Sequence, residues 1–124
     1  MNALIPVMAG GALGSAGRYL TGRFTLSLFG PDWPWGTMTV NLLGGLLMGL
    51  LTGLLARVSA PEGWRLFLAI GVLGGFTTFS SFSLDTVAMI ERGAVAPALG
   101  YVLVSVIGSI AALFAGLSIV RVAA

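Results

Sequence analysis

Cysteine, histidine and lysine are absent from all 124 residues. Their absence removes thiol nucleophiles, imidazole bases, Schiff-base chemistry and the nitrogen and sulfur ligands of structural metals. Charge is nearly as scarce. Six arginines and four acids (Asp32, Glu62, Asp85 and Glu91) make up 8% of the chain, where a soluble domain carries about 25%. The pI near 10 rests on a net charge of only +2, so no nucleic-acid surface is implied. These absences argue against an enzyme.

What is present is hydrocarbon. The chain is 57% hydrophobic with a mean hydropathy of +1.04. That leaves too little polar surface to cover a water-soluble fold, so the solvent is expected to be a lipid bilayer. A spanning helix needs about 20 apolar residues. Four such spans are predicted at approximately 2–29, 36–56, 66–90 and 93–120, forming one four-helix membrane domain over 1–124. The connectors "GPDWP", "RVSAPEGWR" and "ERG" are short, the first two broken by proline and glycine. Trp33, Trp35 and Trp64 fall at the predicted membrane edges, as an aromatic belt requires. The first span is read as retained rather than as a cleaved signal peptide, because no basic residue precedes it and Arg18 interrupts it.

Four spans put Arg57, Arg65 and Arg121 on one side and Arg18, Arg23 and Arg92 on the other. Orientation follows the basic bias of short loops and span ends, and here the bias is zero. Either a small protein balances by chance, or copies insert both ways up.

The helix faces carry more information. Thr37, Asn41, Gly45, Gly49 and Gly53 recur every fourth residue in the second span, as do Tyr101, Ser105 and Ser109 in the fourth, beside a small stripe of Gly108, Ala112 and Gly116. With Gly10 and Gly14 in the first span, these small residues let helices approach closely in lipid. Asn41 is different, because an amide in hydrocarbon needs a partner; it is either interhelical glue or part of a site. The stretch "GGFTTFSSFSLD" (74–85) interrupts the third span. Gly74-Gly75 is the expected helix break, tolerated in a membrane only where protein or a cavity satisfies the freed backbone. Phe76, Phe79 and Phe82 then form one stripe, and Thr77, Ser80 and Ser83 a parallel one. The phenylalanines fit a core or lipid face. Beside hydroxyls, their weakly positive ring edges also fit a donor-only lining for a small anion. Asp85 near the far end is expected to pair with Arg18, the usual fate of intramembrane charges.

Taken together, "GGALGSAGRY" (10–19), "WGTMTVNLLGG" (35–45) and "GGFTTFSSFS" (74–83) resemble the motifs of the Fluc (CrcB) fluoride channels, in order and across all four spans. The resemblance implies an all-α membrane protein with a broken third helix that assembles as an antiparallel, dual-topology homodimer in the bacterial inner membrane. It further implies one structural sodium ion at the dimer centre, held by backbone carbonyls at positions matching Gly74 and Thr77. Two fluoride pores would run alongside. Their phenylalanine box maps to Phe79 and Phe82, and their polar track to Asn41, Ser80, Ser81, Tyr101, Ser105 and Ser109. Arg18 matches the basic position after the first glycine motif. Leu113 stands where some members carry a threonine, which puts the last step of the track in doubt. The implied activity is passive export of fluoride that enters as HF and is trapped in the cytoplasm. Partial rather than full charges would bind the ion weakly enough for it to leave. Two other readings are weighed. A small proton-coupled multidrug exporter needs a deep acid, usually in the first span, which has none. A membrane scaffold accounts for the glycines and nothing else.

Overall fold

The computed structural model describes residues 2–123, which are almost entirely helical. Helix α1 spans Leu4–Phe29 and α2 spans Trp35–Leu55. A four-residue α3, Glu62–Arg65, leads into a π-helical stretch, Leu66–Leu73, and then α4, Gly74–Phe76. Helix α5 covers Phe79–Glu91 and α6 covers Val95–Ala123. Three of these units are long and apolar enough to cross a membrane: Trp35–Leu55, Glu62–Glu91 taken across its break, and Val95–Ala123. Helix α1 has 26 residues, about 39 Å at 1.5 Å per residue, but carries Arg18 and Arg23 within its length. The tight turns after α1 and α5 use Gly30 and Gly93 at φ 81° and 84°, values that side-chain-bearing residues rarely adopt.

Two glycine seams hold the bundle. In the first, α1 lies against the π-helical stretch. A methyl group on Gly10 would collide with the Phe67 carbonyl and one on Gly14 with the Val72 carbonyl, while one on Gly75 would sit 2.7 Å from the Gly11 oxygen. In the second, α2 and α6 run parallel. Gly45 meets the Ser109 carbonyl and Gly49 the Leu113 carbonyl; Gly116 meets the Leu46 carbonyl in return. Lipid supplies no hydrophobic drive between helices, so backbone-to-backbone packing of this kind is what holds them together. Gly45, Gly49 and Gly53 of the predicted second-span stripe, and Gly108, Ser109 and Gly116 of the fourth, lie in the second seam. A small buried cluster of Phe82, Met89, Ala98 and Tyr101 joins α5 to α6. Outside these contacts the helices expose leucine, isoleucine and phenylalanine, among them Leu20, Phe24, Ile107 and Phe114. A contiguous apolar exterior of this extent belongs in lipid or against more protein.

The helix break is not where the glycines suggest. Gly74 is helical, at φ −63° and ψ −38°. The chain leaves the helix at Thr77 (φ −87°, ψ 160°) and Thr78 (φ −152°, ψ 126°). A helical glycine costs about 1 kcal/mol relative to alanine but keeps its backbone hydrogen bonds, so it weakens a helix without ending it. Gly75 serves the α1 seam instead, whereas the nearest atom to a methyl on Gly74 would be the Ala69 oxygen, 3.7 Å away. The two neighbours should therefore respond differently to substitution. Gly74→Ala is expected to leave the detergent-solubilised protein monodisperse with a melting temperature at or slightly above that of wild type. Gly75→Val is expected to lower stability by about 1–3 kcal/mol through overpacking, seen as a lower melting temperature and aggregation on gel filtration.

Candidate functional site

The site is built around the break. Asn41 on α2 reaches the extended residue Thr78: its Nδ2 donates to the Thr78 carbonyl (2.9 Å), and its Oδ1 accepts from the Thr78 N–H (2.8 Å). One amide side chain thus replaces both backbone partners that the broken helix withdraws. The Thr78 hydroxyl accepts from the Ser81 N–H (3.1 Å) and caps α5. Upstream, the Thr77 N–H and hydroxyl both donate to the Leu73 carbonyl.

These bonds leave carbonyls behind. The helical donor to the Gly74 carbonyl would be the Thr78 N–H, which is committed to Asn41. The donor to the Thr77 carbonyl would be the Ser81 N–H, which is committed to the cap. The Gly75 carbonyl receives the Arg18 Nε at 3.1 Å. Gly74 and Thr77, the positions assigned to sodium by resemblance, therefore present carbonyl oxygens free of their helical donors. Neutral oxygen donors with no carboxylate beside them suit a hard monovalent cation, so the residues fit that ion.

A groove of about 390 Å³ lies between α2, the break, α5 and α6. It is lined by Asn41, Phe79, Phe82, Ser105 and Ser109 among the expected residues, together with Thr77 and Thr78. The Phe79 and Phe82 rings are 5.6 Å apart at 45°. Phe82 is 8% exposed and Phe79 77%, so the groove has one unwalled side in a single chain. The Ser105 hydroxyl is buried and has no hydrogen-bond partner. Leu113 and Met48 line the groove beyond Ser109, where the hydroxyls stop.

Other expected residues fall elsewhere. Tyr101 is fully buried behind Phe82, with ring centroids 5.2 Å apart, and its hydroxyl donates to Asp85 Oδ2 at 3.0 Å. Ser80 is exposed, its hydroxyl 3.2 Å from that of Thr78. Ser81 faces a second cavity of about 440 Å³, whose walls include Arg18, Arg23, Thr37 and Asp85. The hydroxyls of Thr77 and Ser83, which look like a donor stripe in the sequence, bond back to Leu73 and Phe79 one turn earlier.

The expected Arg18–Asp85 ion pair is not formed. Both residues line the second cavity, but Arg18 is drawn to the Gly75 carbonyl that the break frees, and Asp85 to the Tyr101 hydroxyl. The one ion pair among the described residues is Arg65–Glu62, exposed at the start of the third span. Thr78 is the residue that sequence reasoning missed. A threonine before a helical run is a recognisable cap, but nothing local ties it to Asn41, 37 positions away.

Residues 5–117 match the family described as CrcB-like protein, Camphor Resistance (CrcB). The chain belongs to the CrcB family. A relative from Caulobacter sp. (strain K31), named fluoride-specific ion channel FluC, is 59% identical over 123 residues, covering 98% of this chain and 96% of its own. Relatives of the same name from Agrobacterium fabrum (strain C58 / ATCC 33970) and Mesorhizobium japonicum (strain LMG 29417 / CECT 9101 / MAFF 303099) are 55% and 52% identical, over 93% and 95% of this chain. The resemblance read from the three glycine-containing motifs is therefore a full-length one.

In this CrcB chain Asn41 carries the break, which makes it the most exacting polar residue in the bundle. Asn41→Leu keeps the branched side-chain shape but leaves the Thr78 N–H and carbonyl unpartnered, at about 1–3 kcal/mol for each buried group. The expected outcome is a fall in melting temperature and in folded yield. Asn41→Asp, which retains the acceptor and loses the donor, should fall between the two. Thermal unfolding in detergent of the three proteins, side by side, checks the order.

Proposed function

We propose that this protein is a passive, fluoride-selective channel that exports fluoride across the bacterial inner membrane. The observation that carries the reading is the chemistry of the 390 Å³ groove. It offers an amide, hydroxyls and ring edges, with an unpartnered Ser105 hydroxyl on its wall and no ionised side chain among its lining residues. Such a lining donates to a small, strongly hydrogen-bonding anion through partial charges, strong enough to replace water and weak enough to release. Chloride is larger and accepts hydrogen bonds less strongly, so the same lining favours fluoride. The curated relatives' name points the same way. No group is asked to make or break a covalent bond, so the protein is a channel and not an enzyme.

The working unit in this reading is an antiparallel homodimer of four-span chains, with α1 as the fourth span. The equal arginine count at the two ends supports insertion both ways up. The exposed Phe79 and the unwalled side of the groove support a second copy as the missing wall. Two copies related by a two-fold axis give two pores. The Gly74 and Thr77 carbonyls of both chains would hold one sodium ion at the centre, which supplies positive charge and joins the two breaks. It stays in place while fluoride moves.

Proteoliposomes loaded with fluoride and chloride test this reading. Fluoride is expected to leave down its gradient while chloride and tracer sodium stay inside, with no pH gradient required. Chloride efflux at a comparable rate, or fluoride efflux that demands a proton or sodium gradient, contradicts it. Ser105→Ala removes the free hydroxyl without disturbing any bond in the fold. Its fluoride flux is expected to drop by about tenfold, the effect of roughly 1.4 kcal/mol of lost donor stabilisation, while the melting temperature holds. Equal flux in both proteins would place the ion elsewhere.

A further inference from the structure

Among the described residues, Thr78 alone lines both cavities. On one side lies the 440 Å³ cavity with its arginines, Thr37 and Ser81. On the other lies the neutral groove with Asn41, Ser105 and Ser109. We infer that the Thr78 hydroxyl is the hand-over contact at which a fluoride ion passes from the charged cavity to the neutral groove. The inference rests on the fluoride-channel reading and adds the point at which the two compartments join.

The local chemistry equips Thr78 for this step. Its hydroxyl oxygen already accepts the Ser81 N–H at 3.1 Å, which directs the O–H proton away from the cap. The Ser80 hydroxyl, 3.2 Å away, is its other polar neighbour and can supply or receive that proton as the ion arrives and leaves. The backbone of Thr78 is fixed on both its N–H and its carbonyl by Asn41. A donor held this way is organised before the ion reaches it, so little ordering cost falls on the crossing itself. The ion's neighbours change in kind at this residue. Behind it are the Arg18 and Arg23 guanidinium groups, which outnumber the Asp85 carboxylate on the same walls and attract an anion from water; ahead are only partial charges. A hydroxyl at the junction lets the ion exchange one set for the other without a dry interval.

The competing account is that Thr78 only caps α5, and three variants separate the two. Aspartate caps a helix at least as well as threonine, so Thr78→Asp should melt like wild type. Its carboxylate nevertheless stands where the anion must pass, and fluoride flux per folded dimer is expected to fall by at least about tenfold. Thr78→Ser keeps cap and donor and should retain wild-type flux. Thr78→Val keeps the shape, loses both, and should lose flux and some stability. Fluoride efflux is measured on liposomes reconstituted with equal amounts of folded dimer, at low and at high sulfate. A contact on the path predicts that the Thr78→Asp loss persists at high ionic strength, whereas distant repulsion would be screened away. Thr78→Asp conducting like wild type, or recovering in sulfate, overturns the inference while the channel reading stands. Wild-type vesicles that release no fluoride overturn the channel reading and this inference with it.

Discussion

One side chain sets the geometry on which the site depends. Asn41 grips Thr78 by both its N–H and its carbonyl, and in a bilayer an unsatisfied backbone group costs several kcal/mol. Without the amide, the third span has no inexpensive way to stop being a helix halfway across. With it, the chain runs extended for two residues and restarts as α5 under the Thr78 cap. The same event strips the helical donors from Gly74 and Thr77, draws Arg18 to Gly75, and turns Phe79 and Phe82 toward the groove.

The seams explain how Asn41 comes to be in reach. Helix α2 must approach the break closely, and Gly44 permits it, since a methyl there would collide with Thr77 Cγ2. One residue on, Gly45 presses α2 against the Ser109 carbonyl of α6. Neighbouring glycines thus hold the turn of α2 that carries Asn41 between the break on one side and the hydroxyl-bearing face of α6 on the other. Helix α1 fixes the upstream half through Gly10, Gly14 and Gly75. Close backbone contact supplies position as well as stability, and the apolar exterior is left for lipid or more protein.

Much of this was legible from residue spacing. The four-residue repeat of Gly45, Gly49 and Gly53, faced by Ser109 and Gly116, marks the α2–α6 seam, because a helix returns to the same face nearly every fourth residue. The helix ends follow from glycine, proline and the loss of apolar character. Long-range pairings were not legible. Asn41 announces that it needs a partner, but a single sequence does not say that the partner is the backbone of Thr78. The same blindness put the break at the glycines, which look like a weak point, rather than at threonines, which look like ordinary helix residues. It also paired Arg18 with Asp85, because opposite charges at one end of a bundle attract on paper. In the fold a freed carbonyl and a tyrosine hydroxyl reach them first. Thr77 and Ser83 mislead in another way, since their hydroxyls are spent on their own helices.

A membrane protein with no histidine, cysteine or lysine has only dipoles and arginines with which to handle an anion. Arg18 and Arg23 line one cavity and the dipoles line the groove, with the break between them. The account therefore stands or falls on the break being real in a bilayer. Solid-state NMR of the reconstituted, isotope-labelled protein reads the backbone torsions of residues 74–81 directly. The account predicts helical values at Gly74 and Gly75, extended values at Thr77 and Thr78, and a Thr78 amide protected from exchange by Asn41. Helical torsions running unbroken through Thr77 and Thr78 would contradict it.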